Sequence, residues 1–326
     1  MELPKSGEFF SPDPVPKVAI DAGGNAVAVW RSWSNPSQVL ATRWVAGTWS
    51  PVEVLAEEVP SVSRIQDIGL SVSPTGDVIV WWMETRIGEA AIRTSRWLKG
   101  LQPEVPVTVG VSGLNTPGTV RYPNPGMKVL WLKDGSPIIG RYGPAGTFDV
   151  SSWAGGGWSA PVSLPALSGQ GVDNAFQFVI HHLALDPSGN PQGVWVDHAA
   201  DGSVKVMAAG YTAAGWLIPK VLGTSNIQFG SNSGGALMVD AHTDGSLAMA
   251  WLCGVPDILL EPATPYRVGE MVWGAQGLGP VKTPIGQRQV IHPLGILNLG
   301  GGKAQLAWCV LGSGGMTWNI TISSID

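Results

Sequence analysis

Three kinds of side chain in this sequence have chemistry to offer: aromatic rings, carboxylates and histidines. Each of the 16 tryptophans presents a flat apolar face of the kind that stacks on a sugar ring. Most of them recur at fixed positions of a repeat and read as packing residues. Trp33, Trp81 and Trp131 break that pattern and are the stronger ligand candidates. Trp33 sits in the polar turn Arg31–Ser37, and Trp81 precedes a repeat tryptophan, so it points to the opposite face of its strand. Trp131 lies on the first strand of its repeat, where it either meets a ligand or fills space.

His181 and His182 are adjacent and, on a strand, point to opposite faces, so they do not jointly hold one ion. His198, His242 and His292 are scattered, and no metal site is expected. The sequence has no Gly-x-Ser-x-Gly elbow, no His-Glu-x-x-His and no phosphate-cradling glycine loop. No catalytic residue and no cofactor is therefore assigned. Glycoside hydrolysis asks for only two carboxylates at a suitable separation. Glu84, Glu89, Asp173, Asp257 and Glu261 keep that chemistry open as an alternative.

Charge narrows the partners. Charged residues make up 13% of the chain and the formal net charge is −5. No basic stripe neutralises phosphates or anionic lipid, so neither nucleic acid nor a membrane surface is an expected partner. No segment approaches the roughly 20 apolar residues that span a bilayer, so no membrane insertion is expected. Met1–Pro16 lacks the apolar stretch of a signal peptide, which predicts synthesis without one and leaves the localisation open. Cys253 and Cys309 differ by one in their offset from the preceding tryptophan, placing them on opposite strand faces, and no disulfide between them is expected.

The elements that must position these residues follow from an internal repeat. A glycine followed six residues later by tryptophan, with alternating apolar residues between, occurs at Gly24–Trp30, Gly76–Trp82, Gly189–Trp195, Gly245–Trp251 and Gly302–Trp308. A sixth copy starts at Gly135 and carries Arg141 in the tryptophan position. Each copy reads as strand, tight turn, strand, with Gly, Asn and Asp supplying the positive φ of two-residue hairpin turns. A second element closes the unit: an aromatic residue, a glycine turn, a large hydrophobe and a Pro-Val strand, as in Trp44…Trp49-Ser50-Pro51-Val52 and Trp153…Trp158-Ser159-Ala160-Pro161-Val162.

The last unit lacks its closing strand, and Gly7–Pro12 at the other end of the chain resembles Gly47–Pro51. The expected fold is therefore all-β: one six-bladed β-propeller over residues 1–326 whose last blade is closed by the N-terminal strand. Its blades are approximately 17–59, 66–110, 120–168, 178–223, 235–285, and 290–326 with 7–15. Gly24–Trp30 followed by Trp49–Pro51 resembles the GNAVAVW-type repeat of bacterial and phage β-propeller proteins, loosely related to the sialidase-like superfamily. The Asp-box of true sialidases is absent. That resemblance implies architecture and says little of function, since propellers host lectins, enzymes and scaffolds alike.

In this topology the blade-to-blade and second-to-third-strand connections emerge at one end, and they are the long ones: 111–126, 165–179, 223–235, 254–266 and 284–293. Binding residues concentrate on long loops held by a rigid frame. Tyr122, Asn124, Asn174, Phe176, Gln228, Phe229, Asp257, Tyr266 and Arg288 belong to that end, with Trp33. The function expected is non-catalytic recognition of a glycan or cell-surface polymer, as in a virion or host-attachment component. The alternatives are a protein-interaction propeller docked on an assembly partner, and a glycoside hydrolase or lyase.

Overall fold

A computed structural model describes residues 16–32, 35–86, 89–111, 127–142, 148–164, 181–186, 188–198, 204–212, 214–225, 237–241, 247–253, 267–274, 277–278, 290–300, 303–311 and 318–325. All regular structure among them is β, and no helix long and apolar enough to cross a membrane occurs there. The strands form antiparallel sheets, three in each of two compact units, residues 1–165 and 166–326.

In the first unit, sheet one holds β1 (Lys17–Ile20), β2 (Ala26–Arg31), β3 (Gln38–Val45), β4 (Thr48–Trp49) and β5 (Glu53–Glu57). Sheet two holds β6 (Ser63–Val72), β7 (Val78–Arg86), β8 (Glu89–Trp97) and β9 (Val107–Val111). Sheet three holds β10 (Lys128–Trp131), β11 (Pro137–Tyr142), β12 (Phe148–Ala154), β13 (Gly157–Trp158) and β14 (Val162–Leu164). The first strands lie side by side, β1 beside β6 and β6 beside β10.

The second unit repeats the plan. Sheet four holds β15 (His181–Leu185), β16 (Pro191–His198), β17 (Val204–Thr212), β18 (Gly215–Trp216) and β19 (Lys220–Ser225). Sheet five holds β20 (Leu237–Ala241), β21 (Leu247–Cys253), β22 (Arg267–Gly274) and β23 (Gly277–Leu278). Sheet six holds β24 (Val290–Gly300), β25 (Lys303–Leu311) and β26 (Trp318–Ile325). Here too the first strands β15, β20 and β24 are neighbours in turn.

The first hairpin turn differs from the expected two-residue form. Asp21 N–H donates to Asn25 O at 2.9 Å and Gly24 N–H to Asp21 O at 3.1 Å, leaving a three-residue loop with Gly24 at φ 78°. The same pair of bonds recurs at Ser73–Asp77, Leu132–Ser136 and Asp186–Asn190. A type I turn followed by a left-handed residue needs a glycine at that one position. Asp21 adds to it: its carboxylate accepts from the Gly23 and Asn25 backbone and from the Asn25 amide. That amide bond, with the backbone donors, holds the Asp21 carboxyl below its usual range despite some opposing desolvation.

Two-residue turns occur instead between the third strand and the strand that closes it. Ala46 and Gly47 have φ of 50° and 88°, Gly155 and Gly156 of 61° and 86°. Across them Trp44 meets Trp49 and Trp153 meets Trp158 edge to face, with ring centroids 5.5 and 5.2 Å apart. The outer strand then breaks. Ser50 N–H donates to Arg43 O at 2.7 Å, and its hydroxyl accepts from Arg43 N–H at 3.1 Å. Pro51 follows, and β5 resumes against the other half of β3 with a bulge at Val39/Leu40. Ser152 and Ser159 repeat this arrangement in sheet three.

Sheets one and two bury Val27, Val29, Val39 and Ala41 against Val78, Val80 and Trp82. Alternate residues of β7 turn the other way: Ile79 joins Val129, Trp131 and Ile139 of sheet three. A strand buried on both faces reads as a continuous apolar run, and Val78–Trp82 is one. At the turn end Arg43 spans sheets one and two, donating to Trp97 O at 2.8 Å and Leu98 O at 3.2 Å, with its guanidinium 4.3 Å from the Trp97 ring centroid. Burial pulls the Arg43 pKa down, and Asp77 and Asp21 oppose it.

Candidate functional site

The end of each sheet opposite those turns carries the second-to-third-strand and sheet-to-sheet connections. In the first unit its described part is a polar cluster on sheets one and two. Arg31, the last residue of β2, donates to the Ile65 carbonyl on β6, and Glu58 Oε1 accepts from Ile65 N–H at 2.7 Å. The first contact ties β2, and the second the connection between the sheets, to the start of β6.

Glu84 is the centre of the cluster. On β7 it lies two residues beyond Trp82 and two before Arg86, so these three side chains share the face that meets sheet one. The β7–β8 register sets Arg93 opposite Trp82, and the β8–β9 register sets Thr108 opposite Arg93. Arg86 donates through Nε and Nη2 to Glu84 Oε1 at 3.1 and 2.9 Å. Arg93 donates through Nε to Glu84 Oε2 at 3.1 Å and through Nη1 to Thr108 Oγ1 at 2.6 Å. The Glu84 side chain is 14% exposed, Arg93 27% and Arg86 48%. Burial pushes the Glu84 carboxyl up, but the hydrogen bonds and charges of Arg86 and Arg93 outweigh it, and its pKa falls below the usual range. Glu84 is therefore an ionised acceptor at neutral pH and is unsuited to act as a general acid.

Two sequence candidates come together in the packing between sheets two and three. Trp131 is 9% exposed, and its Nε1–H donates to Ser71 Oγ at 3.1 Å. That burial favours the space-filling alternative for Trp131 over a ligand contact. Trp81 is half-buried against the same cluster, over Gly69, where an added Cβ would lie 2.2 Å from the indole. Arg141, standing in a tryptophan position, is buried beside Asp149 at 3.4 Å, and Ser163 donates to Asp149 at 2.6 Å.

Glu89 opens β8 opposite Arg86. His181, His182, His198 and His292 lie on β15, β16 and β24. Trp33, Tyr122, Asn124, Asp173, Asn174, Phe176, Gln228, Phe229, His242, Asp257, Glu261, Tyr266 and Arg288 lie outside the described residues. Among the described residues no group of three or more His, Cys, Asp or Glu is placed to hold a metal ion. Sequence reasoning singled out Glu84 but missed Arg86, Arg93 and Thr108. The signal was the hairpin register, which sets Arg93 beside Glu84 once Arg86 is paired with Glu89.

No protein-family model and no curated protein matches the sequence. Solved structures do. The alpha-L-arabinanase of Penicillium chrysogenum, complexed with arabinobiose, has a TM-score of 0.51 and 13% identity over 95% of this chain and 92% of its own. An ulvan lyase bound to a saccharide of glucuronate and sulfated rhamnose has a TM-score of 0.53 and 9% identity over 94% of this chain and 82% of its own. The leech intramolecular trans-sialidase, complexed with 2,7-anhydro-Neu5Ac, has a TM-score of 0.50 and 8% identity over 96% of this chain and 68% of its own. At such identities the likeness speaks to fold alone: the chain is an all-β protein with a β-propeller fold.

Proposed function

We propose that this chain is a six-bladed propeller, its last blade completed by residues 7–15, that recognises a glycan or cell-surface polymer at the end bearing its long connections. The observation that carries the reading is that propellers of similar fold are complexed with saccharides. The ring closure is supported by sheet six, which has three strands against four or five in the others among the described residues. Trp33, with Tyr122 and Tyr266 from the long connections, supplies aromatic contacts in this reading, while Trp131 does not.

A hydrolase or lyase is the second reading, favoured by the enzymes among the structures of similar fold. One experiment separates them. The purified chain and its Trp33→Ala variant are screened on an array of envelope polysaccharides and glycans, and each bound polymer is assayed for new reducing ends and unsaturated products. Saturable binding weakened by the variant, without products, is expected. Product release transfers the case to the enzyme, and silence across the array removes the glycan reading in favour of a protein partner.

A further inference from the structure

Resting on that reading, we infer that the polymer is acidic, and that Arg86 and Arg93, held by Glu84 at the connection end of sheet two, take its carboxylate or sulfate group.

Each guanidinium is fixed by the shared carboxylate, and Arg93 also by Thr108. Arg86 Nη1 and Arg93 Nη2 have no partner among the described residues, and both side chains reach solvent at 48% and 27% exposure. A planar fork already immobilised by a neighbour loses little further rotamer freedom when it binds. Oriented guanidinium donors gain most from an ionised acceptor, because opposite charge and planar two-oxygen geometry are added to the hydrogen bond. An uncharged sugar offers only hydroxyls to the same donors.

The other charged groups nearby are accounted for. Arg31 and Glu58 are engaged at Ile65, Glu57 accepts from Gln38, and Arg64 is exposed on the neighbouring strand. Glu89 is the acidic residue paired with Arg86 in the β7–β8 register. Its removal therefore belongs in the test.

Binding of polygalacturonate, alginate and chondroitin sulfate is measured against dextran, mannan and arabinan, for the wild type and for Arg86→Gln, Arg93→Gln, Glu89→Gln and the turn-end control Lys99→Gln. Each arginine variant is expected to weaken at least one acidic polymer about tenfold, with neutral polymers unchanged and circular dichroism intact. Glu89→Gln should tighten acidic binding, Lys99→Gln should leave it alone, and rising salt should weaken it. Binding confined to neutral polymers, or acidic binding indifferent to both arginines, overturns this inference and leaves glycan recognition standing. Absence of binding to either class overturns both.

Discussion

Replacing Gly69 by alanine tests the packing between sheets two and three at its tightest point. The new Cβ would stand 2.2 Å from Trp81 Cζ2, 2.3 Å from Cε2 and 2.7 Å from Nε1. Ordinary carbon contacts begin near ~3.5 Å, so the indole must withdraw by roughly 1.3 Å. Its retreat runs into the cluster of Ile79, Ile92, Val109, Met127, Val129, Trp131 and Ile139. Overpacking of this kind costs about 1–3 kcal/mol, and alanine returns roughly 0.5–1 kcal/mol over glycine in a strand. A net loss of about 1 kcal/mol is expected, seen as a fall of roughly 2 °C in Tm for a chain of this size. In a Trp81→Leu background the clash is gone, and Gly69→Ala should be neutral or stabilising. Scanning calorimetry of the four proteins gives the coupling directly. If Gly69→Ala costs the same in both backgrounds, the stacked position of Trp81 over β6 is wrong.

Removing the Arg43 clamp should be severe. Arg43→Ala strands the Trp97 and Leu98 carbonyls and the ring beneath the guanidinium, a loss of about 2–4 kcal/mol that Arg43→Lys only partly recovers; a Tm within a degree of wild type would refute the clamp. Acid unfolding should register Glu84. Its folded pKa lies below the unfolded value, so its stabilisation is present above about pH 4.3 and is lost as pH falls through the folded pKa. The exposure of Arg86 and Arg93 limits this to less than about 1 kcal/mol. Glu84→Gln should flatten the stability profile between roughly pH 5 and pH 3, and an unchanged slope would contradict the ion pairs.

Much of the frame was legible because its constraints are local. A left-handed residue after a type I turn selects Gly24 and Gly76, and the paired aromatics Trp44 and Trp49 mark the hairpin that closes the third strand. The turn length was misread because composition does not distinguish two loop residues from three; the Asp21–Asn25 bond does. The choice between the two readings of Trp131 was not local. Its fate depends on which neighbouring sheet its strand faces, and Ser71, far off in sequence, meets its N–H. Arg86 and Arg93 were unremarkable as isolated charges and became a site only through the register that gathers them on Glu84. The sequence departs from its own repeat at Arg141, and the β11–β12 register sets Asp149 opposite to receive it.

The broken outer strand bears on how these sheets meet other molecules. An intact edge would offer a row of free N–H and C=O groups to any passing strand. Here the edge carries some of the most exposed apolar side chains described, Val105 at 84% and Ile218 at 86%, which would make a continuous row hazardous. Pro103 and Pro106 flank the first, Pro219 follows the second, and Pro51 and Pro161 take equivalent places in sheets one and three. Proline withholds the donor, and the bulges at Val39/Leu40, Ile92/Arg93 and Val206/Met207 twist what remains out of line. The interruption that lets one third strand serve two partners thus also guards the rim against strand-by-strand aggregation.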